Sequence, residues 1–241
     1  MTLILLGIVT GFVSGFFGVG GGMILVPMLL LYGLDMKNAV AISIMQMVFS
    51  SVYGTFLNYK KNKAILKDGI LLGMGGFLGG SMSGIIVPNI NGQYLKYLFL
   101  LIVVLAIIRV YSTSLTQVNQ VKKHSKYALI FIGFCIGLIA MCIGVGGSVI
   151  LTPILVGYMF YNLKDASSLG LFFVIFSSIA GFISLSLAGN MLYNEGFVVG
   201  ISSLIGVYFG IKIKNIIQIK SYKKLTLGLY TLILASILFK L

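Results

Sequence analysis

A glycine-rich break occurs twice in this chain, at the same place in two apolar stretches. Gly18-Val19-Gly20-Gly21-Gly22 stands five residues before Pro27, and Gly144-Val145-Gly146-Gly147-Ser148 stands five before Pro153, 126 positions later. With one residue inserted near Tyr161, the similarity continues at an offset of 127. Met36-Lys37-Asn38-Ala39 then matches Leu163-Lys164-Asp165-Ala166, and Val48 to Gly54 matches Ile175 to Gly181. Asp68-Gly69 matches Glu195-Gly196, Gly79 matches Gly206 and Lys96 matches Lys223. Two copies of one sequence fold alike, so the chain is expected to consist of two structural repeats, residues 1–112 and 127–241, with a linker over 113–126.

The medium for this fold is a bilayer. Hydrophobic residues make up 59% of the 241 and charged residues only 9%, far from the composition of a soluble domain. Runs without charge, such as Met1 to Leu34 and Tyr127 to Leu163, are long enough to cross a membrane. The net charge of +13 does not indicate a nucleic-acid binder, because the lysines collect at the ends of apolar runs, as cytoplasmic loop charge does. No basic segment precedes the first apolar run, so Met1 to Phe17 reads as retained structure and not as a signal peptide. Cys135 and Cys142, seven residues apart in one apolar segment, lie about two helical turns from each other, too far for a disulfide.

Each copy reads as five apolar segments, in the first copy near residues 2–17, 21–34, 37–58, 68–88 and 94–112. The first two reach only about 20 to 24 Å as helices, short of a hydrocarbon core of roughly 30 Å. A short pair joined by glycines suggests a re-entrant hairpin, tolerated where its backbone is buried in protein or lines a cavity. The fold class expected is therefore all-α, with three full spans and one glycine-broken hairpin per repeat. The loop carrying Lys60, Lys61, Lys63 and Lys67 is basic while its counterpart is not. The reverse holds for the region of Lys212, Lys214, Lys220, Lys223 and Lys224. With basic loops inside, these residues join Arg109, Lys122, Lys123, Lys126 and Lys164 in the cytoplasm, and only Lys37, Lys96 and Lys240 remain outside. The repeats are then inverted and both termini face outward, an arrangement that five spans per half would also satisfy.

Inverted-repeat carriers bind substrate near the midplane, where the repeats meet. The glycine turns are the natural site: helices opening there present N–H groups without intrahelical partners, together with the positive end of the helix dipole. Gly18, Gly20, Gly21, Gly22, Gly144, Gly146, Gly147 and Ser148 are accordingly candidate substrate-binding residues, and Pro27 and Pro153 candidate helix breaks. Close helix packing is the competing explanation for any single glycine, and Gly21→Ala and Gly147→Ala are expected to harm transport more than Gly73→Ala. Gln46, whose equivalent is Phe173, is either a substrate ligand or an interhelical hydrogen-bonding group. Ser50, Ser51, Ser177 and Ser178 either donate to an anion or bond back to their own helices. Asp35, Asp68, Asp165 and Glu195 lie where helices begin and read as caps or dipole partners. His124 reads as a solvated loop residue. No zinc-ligand spacing, catalytic triad or nucleotide fingerprint appears, so neither a metal nor a cofactor is called for and the chain does not read as an enzyme.

With Gly11, Gly15, Gly18 to Gly22 and Pro27, repeated as Gly137, Gly144 to Ser148 and Pro153, the chain resembles the sulfite exporter TauE/SafE family, also called the 4-toluene sulfonate uptake permeases. The resemblance covers essentially the whole length. It implies a secondary carrier in a bacterial or archaeal cytoplasmic (inner) membrane for small sulfur-containing or organic anions, such as sulfite, sulfonates or sulfoacetate, coupled to the proton gradient. Its partners would be that anion and membrane lipid, with a homodimer compatible. An anion channel on the same frame, or a thiosulfate or sulfur-compound importer using Cys142 chemically, are the alternatives. The second copy departs from the pattern with Ser148 in place of Gly22 and without counterparts of Ser14 and Gly15, so two unequal half-sites are expected.

Overall fold

The computed structural model describes residues 1–58, 66–112, 125–157, 159, 161 and 163–238, and among them every regular element is a helix. The first half holds α1 (Thr2–Phe17), α2 (Gly22–Leu31), α3 (Met36–Asn58), α4 (Leu66–Gly80), α5 (Ser83–Asn89) and α6 (Gly92–Ser112). The second holds α7 (Lys126–Ile143), α8 (Ser148–Gly157), α9 (Leu163–Leu187), α10 (Tyr193–Ile216) and α11 (Ile219–Leu238). These follow the five expected segments of each copy, except that the fourth segment of the first copy is two helices. The loop lysines Lys60, Lys61, Lys63, Lys122, Lys123 and Lys240, with His124, lie outside the described residues, as does nearly all of the 113–126 linker.

The pairing of helices repeats between the halves. α1 packs along α10, and its counterpart α7 packs along α4. α3 lies against α10, as α9 does against α4. α2 meets α11, as α8 meets α6. Equivalent elements also meet directly, α3 with α9 and α6 with α11, and α2 packs on α3 as α8 does on α9. Each half thus completes the other. Glycine makes this closeness possible: a β-carbon on Gly11 would lie 2.0 Å from the Ser203 carbonyl oxygen, and one on Gly75 would lie 2.0 Å from that of Ile130. Without a hydrophobic drive between helices in lipid, such backbone approach is a main source of association.

α3, α7, α9 and α10 are each long and apolar enough to cross a membrane, and α4 with α5 qualifies as one span bent by 41°. α2 and α8, of 10 residues each, are too short. The bend between α4 and α5 has an identifiable cause. Ser184 of α9 donates to the Ser81 carbonyl and accepts the Gly84 N–H at 2.8 Å, so a side chain from a neighbouring helix occupies the backbone ladder there.

Two expectations need correction. α2 and α8 run through Pro27 and Pro153, so the prolines are not the helix breaks. Each removes one ladder bond inside a packed helix, which neighbouring helices tolerate, while the chain changes direction at the glycines before it. Lys214 belongs to no loop: it sits in the last turn of α10 and is 2% exposed.

Candidate functional site

α1 ends because Gly18 adopts the left-handed conformation (φ 72°) and returns its N–H to Ser14 O, a glycine stop that α7 repeats with Gly144 (φ 71°) bonded to Ala140 O. The chain then passes through Gly20 and Gly21, at φ 78° and 79°, and through Gly146 and Gly147, at 79° and 71°. α2 and α8 begin directly afterwards. The Gly21 carbonyl accepts from Ile24 and Leu25 and the Gly147 carbonyl from Ile150 and Leu151, which closes the first turn of each helix. The N–H groups of Gly20, Gly21, Gly22 and Met23, and those of Gly146, Gly147, Ser148 and Val149, have no acceptor among the described residues. All of these residues are buried. A buried donor left unpaired costs about 1–3 kcal/mol, so two clusters of them at equivalent positions point to an acceptor that the described residues do not supply.

The two turns meet. A β-carbon on Gly22 would lie 2.0 Å from the Gly144 carbonyl oxygen, and one on Gly146 would lie 3.3 Å from that of Val19. Helices of the opposite repeat hold them. Ser43 of α3 donates to Gly144 O at 2.7 Å, and Ser167 of α9 donates to Phe17 O at 2.8 Å. Between the turns lie the symmetry-related side chains of Met47 and Val174. The Met47 sulfur would be 2.7 Å from a β-carbon on Gly146 and 3.4 Å from one on Gly20, and Val174 would be 3.3 and 3.2 Å from the same two.

Gln46 faces the first turn: its Nε2 and Oε1 would each be 2.7 Å from a β-carbon on Gly21. The carboxamide is fully buried, and neither polar atom has a hydrogen-bond partner. The interhelical hydrogen bond considered for it is not made. Phe173 takes the corresponding place at the second turn, its ring carbon 2.5 Å from a β-carbon on Gly147. One turn therefore faces an amide and the other a phenyl ring. The Ser14, Ser148 and Thr152 hydroxyls are also buried without partners.

The serine pairs divide. Ser51, Ser177 and Ser178 bond only to carbonyls of their own helices, at 3.4 Å. Ser50 also reaches the Gly20 carbonyl at 3.3 Å. The expected inequality between Gly22 and Ser148 is offset by its neighbours. Gly22 packs against Ser43, whereas Ser148 packs against Gly170, the equivalent of Ser43, so each half keeps one hydroxyl there.

Farther out, Asp35 accepts the Asn38 N–H at 2.7 Å as a cap of α3, and Asp68, Asp165 and Glu195 lie in first helical turns, as expected. Asp68 also receives the Tyr161 hydroxyl at 2.8 Å. Burial first, and then the bond and charge of that carboxylate, hold the Tyr161 phenol above its ordinary pKa. Cys135 and Cys142 are both free. Among the described residues there is no group of His, Cys, Asp and Glu able to hold a metal ion.

The family described as Sulfite exporter TauE/SafE matches residues 3–237. The chain belongs to that family. It is a multi-pass membrane transporter, not an enzyme. A probable membrane transporter protein of Methanocaldococcus jannaschii is 26% identical over 205 residues, 81% of this chain and 76% of the relative. One from Bacillus subtilis is 26% identical over 231 residues, covering 90% and 91% of the two chains. One from Haemophilus influenzae is 25% identical over 216 residues, covering 87% and 83%. No solved structure matches significantly. In this TauE/SafE transporter the duplicated motif has two parts. Gly11, Gly15 and Gly137 pack helices together, while Gly20 to Gly22 and Gly146 to Ser148 form the facing turns. Sequence reasoning missed Met47, Ser43, Ser167 and the placement of Lys214. Offset-127 pairing of Ser43 with Gly170 and of Met47 with Val174 was the available signal.

Proposed function

We propose that this transporter carries a small oxyanion of the sulfite, sulfonate or sulfoacetate class across the cytoplasmic membrane by alternating access, with both termini outside and the two repeats inverted. The anion sits between the glycine turns, taking hydrogen bonds from the backbone N–H groups of Gly20 to Met23 and Gly146 to Val149 and from the Gln46 amide. The observation that carries this reading is the pair of facing, buried turns whose N–H groups have no acceptor among the described residues. Helix N-termini favour negative charge, and glycine lets an anion reach the backbone without meeting a Cβ. The family's description as a sulfite exporter supports this choice of anion.

The chain has four acidic residues, and all of them lie where helices begin. No carboxylate thus lies at the turns to carry a proton, and sulfite can bring its own as bisulfite. Purified protein in liposomes should accumulate sulfite or sulfoacetate above an empty-vesicle control, driven by an imposed proton gradient and in exchange with unlabelled anion. Absence of flux for sulfite, sulfonates and carboxylates would overturn the reading. Single-channel currents would replace the carrier with a channel.

A further inference from the structure

A buried polar cluster lies beside the first glycine turn, in one half of the molecule only. The Lys214 ammonium donates to the hydroxyls of Ser167 and Ser168, at 2.8 and 3.2 Å. The Ser167 hydroxyl donates in turn to the carbonyl of Phe17, the residue just before Gly18. The Tyr222 hydroxyl donates to Phe16 O at 3.0 Å and lies 3.1 Å from Ser167 Oγ. A β-carbon on Gly18 would fall 2.2 Å from that same Ser167 oxygen. A lysine ammonium and three hydroxyls are thus gathered where the chain enters the turn.

The fold does not require them. At the equivalent positions of the first repeat stand Val87 for Lys214, Val40 for Ser167, Ala41 for Ser168 and Leu95 for Tyr222, all of them buried. The junction there holds apolar packing and the Lys37 ammonium, which donates to Pro88 O at 2.6 Å, and Val87 lines a cleft of about 180 Å³ with both. Replacing four apolar side chains with a cation and three hydroxyls inside a membrane protein is costly unless the charge has work to do, and intramembrane ionisable groups mark substrate paths.

We infer that Lys214, with Ser167, Ser168 and Tyr222, forms a second oxyanion subsite beside the glycine turns and on one side of them only, through which the carried sulfonate or sulfite passes on its way to or from the turns. This rests on the transport reading for the identity of the anion. The ammonium can donate to an anion that displaces the serine hydroxyls. The first repeat has Val87 in its place, and the Lys37 ammonium near Val87 is matched in the second repeat by Lys164, so Lys214 is the added cation. The two sides of the membrane should therefore differ in apparent affinity for the same anion.

The test compares wild type with Lys214→Met, Lys214→Gln and Lys214→Arg, each checked by size-exclusion elution. Sulfite counterflow is measured from each face of oriented proteoliposomes, and the rise in melting temperature with sulfite is measured in detergent. Loss of a charge-assisted bond predicts a half-saturating sulfite concentration about 10- to 100-fold higher for Met and Gln, from one face. Arg should stay within about threefold of wild type. Folded Met or Gln variants with wild-type half-saturation from both faces would overturn the inference, as would equal losses from both. If wild type moves no sulfite yet melts higher with it, the transport reading fails while the subsite stands or falls on whether Lys214→Gln loses that shift. If wild type shows neither effect, both are refuted.

Discussion

Replacing Gln46 with leucine separates a binding role from a structural one, because the two predict opposite signs for stability. The carboxamide is fully buried and both of its polar atoms lack partners. An unsatisfied buried polar group costs about 1–3 kcal/mol, and leucine fills nearly the same volume without that penalty. Gln46→Leu should therefore raise unfolding stability by about 1–3 kcal/mol, which for a chain of this size is a melting-temperature increase of roughly 2–10 °C. Transport should move the other way. A hydrogen bond to a charged group contributes about 1.5–3 kcal/mol, so the half-saturating sulfite concentration should rise about 10- to 100-fold. The assay pairs thermal melting in detergent with labelled-sulfite uptake into proteoliposomes, normalised to inserted protein. A destabilised Gln46→Leu would mean that the amide bonds within the protein, and wild-type uptake would remove it from the anion's path. Either result refutes the reasoning.

Gly21→Ala and Gly147→Ala place a side chain at φ 79° and 71° and within 2.7 Å of Gln46 and 2.5 Å of Phe173. Each should lower uptake about five- to 100-fold, since the backbone strain is of order 1–3 kcal/mol. Gly228→Ala in α11, whose β-carbon would meet nothing within 4 Å, should transport as wild type in the same assay. Met47→Ala should cost about 2–5 kcal/mol in a melting experiment and shift relative uptake from sulfite toward bulkier sulfonates, because its sulfur lies between the two turns. Cys135→Ser with Cys142→Ser should keep uptake within about twofold. Loss of uptake would bring back a chemical role for the thiols.

How much of this was readable in the sequence depended on whether a position's meaning is local. The turns at Gly18 to Gly22 and Gly144 to Ser148 were legible because left-handed backbone and close approach demand glycine, and because the pattern occurs twice. Pro27 and Pro153 misled: proline usually ends a helix, but inside packed α2 and α8 the loss of one ladder bond is tolerated. The bend in the fourth segment of the first copy was invisible, since Ser184, which holds it open, lies on α9 about a hundred residues away. Gly73 looked like a neutral control until its β-carbon was placed 2.5 Å from the Phe176 ring. Lys214 was counted with the loop charges because charge near the end of an apolar run normally lies at the surface. Only the packing of α10 shows it buried.

The central claim is that an anion is held where the two glycine turns face each other. A structure determined with bound sulfite or selenate tests it most directly. The account predicts density between the turns, within hydrogen-bonding distance of the Gly21, Gly22, Gly147 and Ser148 N–H groups and of the Gln46 amide. Anion density elsewhere in the protein, with those N–H groups untouched in a preparation that still transports, would contradict it.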